Sequence, residues 1–363
     1  MSRRRFMARL ATGFKMALAG QLLPRTVLAA AQPEASALHY RPLNGNNLRE
    51  MARRKMHHGK GIFLNPMGIA RDKRFWQVLS WKLFHKNAYG AFLDDQPTTP
   101  VTIDWQPVKS HRGVSVTFIK HSTLLIKDLD KVLLIDPVFG DIFWFIRDYS
   151  PLAFDLADMP QPDHVLITHG HYDHLDKPSL AALNPGTHVI SPLGYDREFD
   201  SVGIRHRTQL DWYARYTDGR REITCLPANH WTMRNPIVGP NRSLWGGYLI
   251  RTAGGPTIYI SGDSAYFDGF EQLGRETDID LAIFNVGAYA PRWFMAPSHM
   301  NPAECVRAFK EIGARKLMIV HWGTFQLGDE PVHFPPGDMK KALEEEGLLS
   351  RWIPLGLGES YFF

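Results

Sequence analysis

From Val114 onward the chain alternates short apolar runs with polar turns. VSVTFI (114–119) and LLIKDLDKVLLID (124–136) have the length and aliphatic content of strands, and they read as an antiparallel pair joined by a Lys/Asp turn. Asp136-Pro137 stops the second run. Four later runs share one design: DHVLIT (163–168) leads into His169, EITCLPANH (222–230) ends at His230, PTIYISGD (256–263) ends at Asp263, and RKLMIV (315–320) leads into His321. Each is a strand that delivers a ligand-type side chain at its carboxyl end. Layered α/β folds place their sites beyond the carboxyl ends of strands, so this repetition predicts one site there.

Between the runs lie helix signals. Asn301-Pro302-Ala303-Glu304 reads as an N-cap, a proline at the first helical position and a capping-box glutamate. That helix runs through CVRAFKEI and stops at Gly313. FWQVLSWKLF (75–84) is apolar at helical spacing and predicts a helix packed into the core, with a lipid-facing helix as the alternative. VFGDIFWFIRDY (138–149) has consecutive aromatics with no alternation, which does not suit a half-buried strand. It reads as a loop, either folded over the core or dipping Trp144 and Phe145 into a membrane interface. No repeat and no linker divides the chain.

Composition adds bounds. The 363 residues are 44% hydrophobic and 12% aromatic, enough for a large core. No apolar run is long enough to span a bilayer. The first 31 residues stand apart: Ser2-Arg3-Arg4-Arg5-Phe6, a modest apolar stretch and Ala29-Ala30-Ala31 predict an export signal of twin-arginine type, and so a periplasmic or envelope-associated protein. Residues 32–110 then form an N-terminal extension packed on the core, and 111–363 the main domain. The signal carries six of the 42 basic residues and none of the 37 acidic ones, so without it 36 face 37. The formal charge of +5 belongs to the signal, and nothing argues for nucleic-acid binding. Cys225 and Cys305 are no disulfide framework and read as buried thiols.

The chemistry concentrates in THGHYDHLD (168–176). His169 and His171 are two apart on a strand-end loop and can face one ion. Asp173 and His174, where a helix could start before Lys177-Pro178, can face a second. Each ion needs a ligand from elsewhere, which His230 and His321 can supply, and Asp263 can bridge both with its two oxygens. Histidine with carboxylate is a typical zinc ligand set. Water held by such a pair ionises at a pKa of roughly 7 and can attack in line. His121 and Asp136, at two more strand ends, read as structural or ligand-orienting groups.

HxHxDH with the later His, SGD and His resembles the metallo-β-lactamase superfamily, from about Val114 to the C-terminus. The resemblance implies an α/β (layered α+β) fold, the αβ/βα four-layer sandwich, around two zinc ions. It gives one ion His169, His171 and His230, and the other Asp173, His174 and His321, with Asp263 between them. GAYAPRWFMAPSHMNPAE (287–304), HWGTF (321–325), NHW (229–231) and SLWGGY (243–248) further resemble the N-acyl-phosphatidylethanolamine-hydrolysing phospholipase D group. That implies a phosphodiester of a phospholipid as substrate, with an N-acylethanolamine leaving and phosphatidic acid as the other product. Asp173 would orient the nucleophile or carry its proton, and His299 would donate to a phosphate oxygen or protonate the leaving alkoxide. Lys177 and Ser298 depart from the animal enzymes, which carry an aromatic and an amide there. Together with Tyr289 they are expected near the substrate, and Trp231 and Trp293 can line the same pocket. The expected partners are a phospholipid, a membrane surface and, as an assembly, a second copy in a homodimer. Two other readings stand beside this one: a dinuclear zinc hydrolase of a lactone or amide, and a non-catalytic envelope lipid-binding protein. Flavin-dependent diiron relatives usually place a carboxylate where His171 stands, and the nuclease branches carry an extra domain or a basic surface.

Overall fold

A computed structural model describes residues 39–69, 81, 86–93 and 96–363. The expected export signal and the helix over 75–84, apart from Trp81, lie outside the described residues. Trp81 itself is buried and packs with Ala288 and Met295.

The apolar runs form two sheets. The first contains β1 (Val114–Lys120), β2 (Thr123–Asp128), β3 (Lys131–Ile135), β4 (His164–Leu166), β5 (His188–Pro192), β6 (Arg207–Leu210) and β13 (Ser360–Phe362), in the order β13-β1-β2-β3-β4-β5-β6. The second contains β7 (Arg215–Asp218), β8 (Arg221–Leu226), β9 (Gly247–Arg251), β10 (Thr257–Ile260), β11 (Leu281–Asn285) and β12 (Lys316–Val320), in the order β12-β11-β10-β9-β8-β7. Each sheet begins as an antiparallel meander and continues with parallel strands, β3-β4-β5-β6 in one and β10-β11-β12 in the other. The expected pair over 114–136 is a three-stranded meander. LLIKDLDKVLLID folds on itself as a hairpin, with Leu129 in the left-handed region at φ 58°.

The two-residue period separates the faces. Leu124, Ile126, Leu133, Ile135 and Leu166 join Ile223, Cys225, Tyr248 and Ile250 in the core between the sheets. The intervening Leu125, Val132, Leu134, Val165 and Val189 point the other way. They pack under α2 (Trp105–Ser110), α3 (Lys177–Ala181) and α4 (Asp196–Asp200) through Trp105, Val108, Leu180 and Phe199. The second sheet is covered by α5 (Phe270–Glu276), α7 (Pro302–Ile312) and α8 (Pro335–Glu345). The product is the αβ/βα four-layer sandwich. Each large apolar side chain taken fully out of water contributes about 1.5–3 kcal/mol to holding the layers together.

Polar links cross between the sheets. Tyr248 Oη donates to the Ile167 carbonyl at 2.7 Å. Arg221 on β8 pairs with Asp128 on β2, both buried, and Asp128 also accepts from the Ala253 and Gly254 amides at 2.8 Å each. The extension belongs to the same core: α1 (Leu48–Arg53) brings Leu48, Met51 and Ala52 into the main cluster, with Leu43 and Met67. The capping box at Asn301 and Glu304 forms as the sequence predicts, and Gly313 ends α7 at φ 70°.

Candidate metal centre

Six strand ends converge at one end of the sandwich: His121 after β1, Asp136 after β3, His169 after β4, His230 after β8, Asp263 after β10 and His321 after β12. Three of these residues turn the chain in the left-handed region, His121 at φ 49°, Asp136 at φ 42° and His321 at φ 73°. Such backbone costs about 1–3 kcal/mol per residue and persists where surrounding contacts fix it. Here they do. The His321 amide donates to the His121 carbonyl at 2.7 Å, and the Thr168 amide donates to Asp136 Oδ1 at 2.7 Å. Gly287 lies so close that a Cβ would stand 1.9 Å from the His321 carbonyl oxygen, so only glycine fits there.

The ligand-type atoms gather in two adjoining sets, His169, His171, His230 with Asp263, and Asp173, His174, His321 with His121. Asp263 divides its oxygens between them. Oδ1 lies 3.4 Å from His174 Nε2 and 3.3 Å from His321 Nε2. Oδ2 lies 3.7 Å from both His169 Nε2 and His230 Nε2. Asp173 Oδ2 stands 3.5 Å from His174 Nε2 and 3.4 Å from His321 Nε2.

These spacings test whether the residues fit metal ions. A tetrahedral zinc with bonds of about 2.0–2.1 Å has ligand-to-ligand edges of about 3.3–3.4 Å. The Asp173, His174, His321 and Asp263 separations fall on that value and are too long for good hydrogen bonds. His174 Nε2 and His321 Nε2 are buried without a hydrogen bond, each aimed at two carboxylates. The donor set fits a divalent ion in each half.

Electrostatics agree. Burial alone would raise the Asp263 carboxyl, but the His321 and His174 rings facing it hold it well below the usual carboxylate range. Burial raises and His174 lowers Asp173 likewise, with the same net result. Burial and the neighbouring His174 keep His169 neutral. In the other half, burial is outweighed by Asp263 and Asp173, which raise His174 and His321, the latter to about 9, so an ion binding there must displace their protons, because coordination requires ionised carboxylates and neutral imidazoles.

A surrounding layer aims the ligands. His174 Nδ1 donates to Asp136 Oδ2 at 2.7 Å, which leaves Nε2 facing the site. His230 Nδ1 donates to the Ser298 carbonyl at 3.0 Å. Asn285 Nδ2 donates to Asp263 Oδ1 at 2.8 Å. His121 Nε2 lies 3.0 Å from Asp173 Oδ2, and its main chain is held by Thr324 Oγ1 at 2.9 Å. Burial, with His321 alongside, pushes His121 down to about 3, so it is a neutral partner.

This structure is matched by known proteins. The family model described as "Beta-lactamase superfamily domain" matches residues 131–322. The chain belongs to the metallo-β-lactamase superfamily. It is similar to an N-acyl-phosphatidylethanolamine-hydrolyzing phospholipase D of Caenorhabditis elegans, 33% identical over 254 residues, which are 64% of this chain and 70% of that protein. It is also similar to the mitochondrial enzyme of that name from Saccharomyces cerevisiae, 30% identical over 64% of this chain and about half of the yeast protein (52%). The fold matches a solved isothiocyanate hydrolase from Delia radicum gut bacteria at TM-score 0.57 and 19% identity, over 69% of this chain and 99% of that one. As a member of this superfamily, the chain is a metal-dependent hydrolase.

The superfamily motif residues lie where the sequence predicts, and three details differ from expectation. The helix after HYDHLD begins at Lys177, capped by Asp176, whose Oδ2 accepts from the Ser179 amide at 2.9 Å. Asp173 and His174 therefore sit in the turn before it, not on its first turn. Tyr289 is buried, with its hydroxyl bonded to Asp338, so it supports the loop and does not face a substrate. Ser298 is buried too and meets the site through its carbonyl, on His230. His299 does overlook the centre, its Nδ1 3.8 Å from Asp263 Oδ2 and its side chain 14% exposed. Trp231 packs on His171 at 4.7 Å between ring centres. Lys177 lies at the rim, in a cleft with Tyr172, Arg197 and Arg234.

Sequence reasoning missed Asn65. Its Nδ2 donates to the His230 carbonyl at 2.8 Å and to Asn229 Oδ1 at 2.9 Å, so the extension braces a metal ligand. The same segment is clasped further back, where His57 Nε2 and His58 Nε2 meet the two oxygens of Asp211 at 2.5 and 2.9 Å. The Lys55 ammonium occupies that carboxylate too, which makes this group a charge-balanced clasp and not a third cation site.

Proposed function

We propose that the protein is a zinc-dependent phosphodiesterase of phospholipase D type that acts on N-acyl-phosphatidylethanolamine or a related phospholipid. The observation that carries the reading is Asp263, whose two oxygens face two separate histidine sets. His169, His171, His230 and Asp173, His174, His321, with Asp263 between them, would hold divalent ions, which when bound would supply a nucleophile near neutral pH and positive charge at a phosphoryl centre. The similarity to the two phospholipases supports the phosphodiester part. Within the chain, Asp136 and the Ser298 carbonyl set the direction of His174 and His230. His121 and the two rings opposite fix Asp173 Oδ2, so Asp173 serves as a positioned ligand and not as a mobile proton carrier. His299, on the open side, donates to a substrate oxygen or protonates the departing alkoxide.

The test is a metal-analysed preparation incubated with a phospholipid panel, a lactone and a β-lactam, with products read by mass spectrometry. An N-acylethanolamine and phosphatidic acid are expected in equal amounts, and Asp263→Ala should lose this activity together with much of the metal. Turnover of the lactone or β-lactam alone, by protein carrying its full metal, would refute the phosphodiester reading. Full activity in protein with no bound transition metal would refute the mechanism.

A further inference from the structure

The rim of the metal centre carries a surface that the hydrolytic chemistry does not use. Two loops meet at Tyr172, which stands between the ligands His171 and Asp173. In the first loop, the Phe143 ring contacts Tyr172 at 4.7 Å and stacks on Phe145 at 5.2 Å. That packing leaves Trp144 77% and Phe145 48% exposed. In the second, Tyr172 Oη donates to the Arg234 carbonyl at 2.6 Å, and the Arg234 guanidinium lies 4.0 Å over the Tyr172 ring. Its tip presents Ile237, 94% exposed, and Val238, 41% exposed. Against Tyr172 and the second loop is a cleft of about 490 Å³ lined in part by Lys177, Arg197, Glu198 and Arg234, three cations against one carboxylate.

Large apolar side chains held this far into water cost solvation free energy that the fold does not recover, and a cluster of them marks a contact site. The form of the cluster decides the partner. These are separate protruding tips that share Tyr172, one of them with Ile237 at the wall of a basic cleft, and not a continuous apolar groove that a helix or strand would fill. Tryptophan beside cations is the pattern that suits the headgroup level of a bilayer. The charge is complementary to an anionic leaflet.

We propose that this rim docks on an anionic lipid bilayer. Trp144, Phe145 and Ile237 enter the headgroup region, and Lys177, Arg197 and Arg234 hold the anionic headgroup of a lipid beside the one at the metals. The biological sense of this rests on the phospholipid reading above, but the binding itself is measured without turnover. Because Tyr172 is flanked by two ligands, docking sets the loop that carries them directly against the surface from which a lipid would rise.

The experiment is co-sedimentation of the full chain with vesicles of phosphatidylcholine alone or with added phosphatidylglycerol. The wild type should bind the anionic vesicles about tenfold or more tightly than the neutral ones, and salt should weaken the difference. The double variant Trp144→Ser/Phe145→Ser, and separately Arg197→Glu, should each lose about fivefold or more of that affinity. Both variants should keep the wild-type melting temperature and the wild-type rate on a short soluble phosphodiester. Equal binding to both vesicle types, or variants that bind like the wild type, would overturn the proposal. So would a loss of melting temperature or soluble-substrate rate in step with binding, because the loops would then serve the fold. Displacement from vesicles by inorganic phosphate at constant ionic strength would assign the cleft to a soluble anion and equally overturn it. A wild type that binds anionic vesicles yet cleaves no phosphodiester would uphold the docking face and sink the phospholipase reading alone.

Discussion

Asp136→Asn should weaken metal binding most in the Asp173, His174 and His321 set. Asp136 is buried and accepts three hydrogen bonds, from His174 Nδ1 at 2.7 Å, Thr168 Oγ1 at 2.6 Å and the Thr168 amide at 2.7 Å. The last of these comes from the backbone and cannot turn away, so the single carbonyl oxygen of an asparagine serves it. The new amide nitrogen then faces Thr168 Oγ1 and His174 Nδ1. A hydroxyl can turn round and accept, but an imidazole must move its proton to the other nitrogen. His174 Nε2, the atom that faces Asp173 and Asp263, would carry hydrogen and could not ligate. Losing such an orienting partner typically costs 10–100-fold in metal affinity, about 1.4–2.7 kcal/mol. The set of His169, His171 and His230 meets Asp136 only at second hand, through Thr168 Oγ1, which lies 3.0 Å from His169 Nδ1, while His230 is held by the Ser298 carbonyl, so its affinity should fall less. Competition against a chromophoric chelator, with elemental analysis of the dialysed protein, separates the two sites. Asparagine is preferred to alanine because alanine would strand the buried Thr168 amide, at about 1–3 kcal/mol of stability, and blur the result. Two ions per chain at wild-type affinity in Asp136→Asn would refute the argument that this carboxylate sets the tautomer.

Four shorter expectations follow from other parts of the molecule. Asn65→Ala releases the His230 carbonyl and should weaken one metal site several-fold, with the Asp173–His174–His321 site unchanged in the same competition assay. Asp128→Asn leaves the Arg221 guanidinium buried without its main counter-charge, at the end of the sheets away from the metals; it should cost about 3–5 kcal/mol in denaturant unfolding without changing metal content. Glu330, whose oxygens accept from the Tyr289 and Ala290 amides at 3.0 Å each, is pushed up by burial from 4.5 to about 7. A raised acid favours the folded state below its unfolded pKa, so about 3 kcal/mol should fade as pH rises from 4.5 to 7, and Glu330→Gln should flatten that slope in pH-dependent unfolding. Changing Arg3 and Arg4 together to lysine should leave the precursor in the cytoplasm, read by fractionation, and unaltered export would refute the twin-arginine reading.

What the sequence disclosed and what it withheld divide along a physical line. His169, His230, Asp263 and His321 were legible because each ends an apolar run, and the run's period fixes the face and its end fixes the place. The cap at Asn301 was legible because its partner, Glu304, is three residues away. Asp176 shows the limit of local reading: the motif picked out Asp173 as the ligand in HYDHLD, but ligands and caps are the same residue types, and only the fold tells that Asp176 caps α3. His121 in FIKHSTLL was legible as a structural or ligand-orienting group, but not which group it orients. Its function depends on Asp173, Thr324 and the His321 amide, which are 52, 203 and 200 positions away. Asn65 likewise gains its meaning from His230, 165 residues on. Contacts of that separation leave no period and no spacing in the chain, and loop-closure entropy must be overcome before they form at all. The same reasoning accounts for Trp144 and Phe145. A run of aromatics without a period specifies no face, so exposure was decided by which ring found a partner. Phe143 packs on Tyr172, on the metal loop itself, and Phe145 stacks on Phe143, while Trp144 and much of Phe145 stay exposed. The surface at the rim is therefore tied to the ligands by one aromatic contact, and that contact joins the chemistry of the centre to whatever the rim touches.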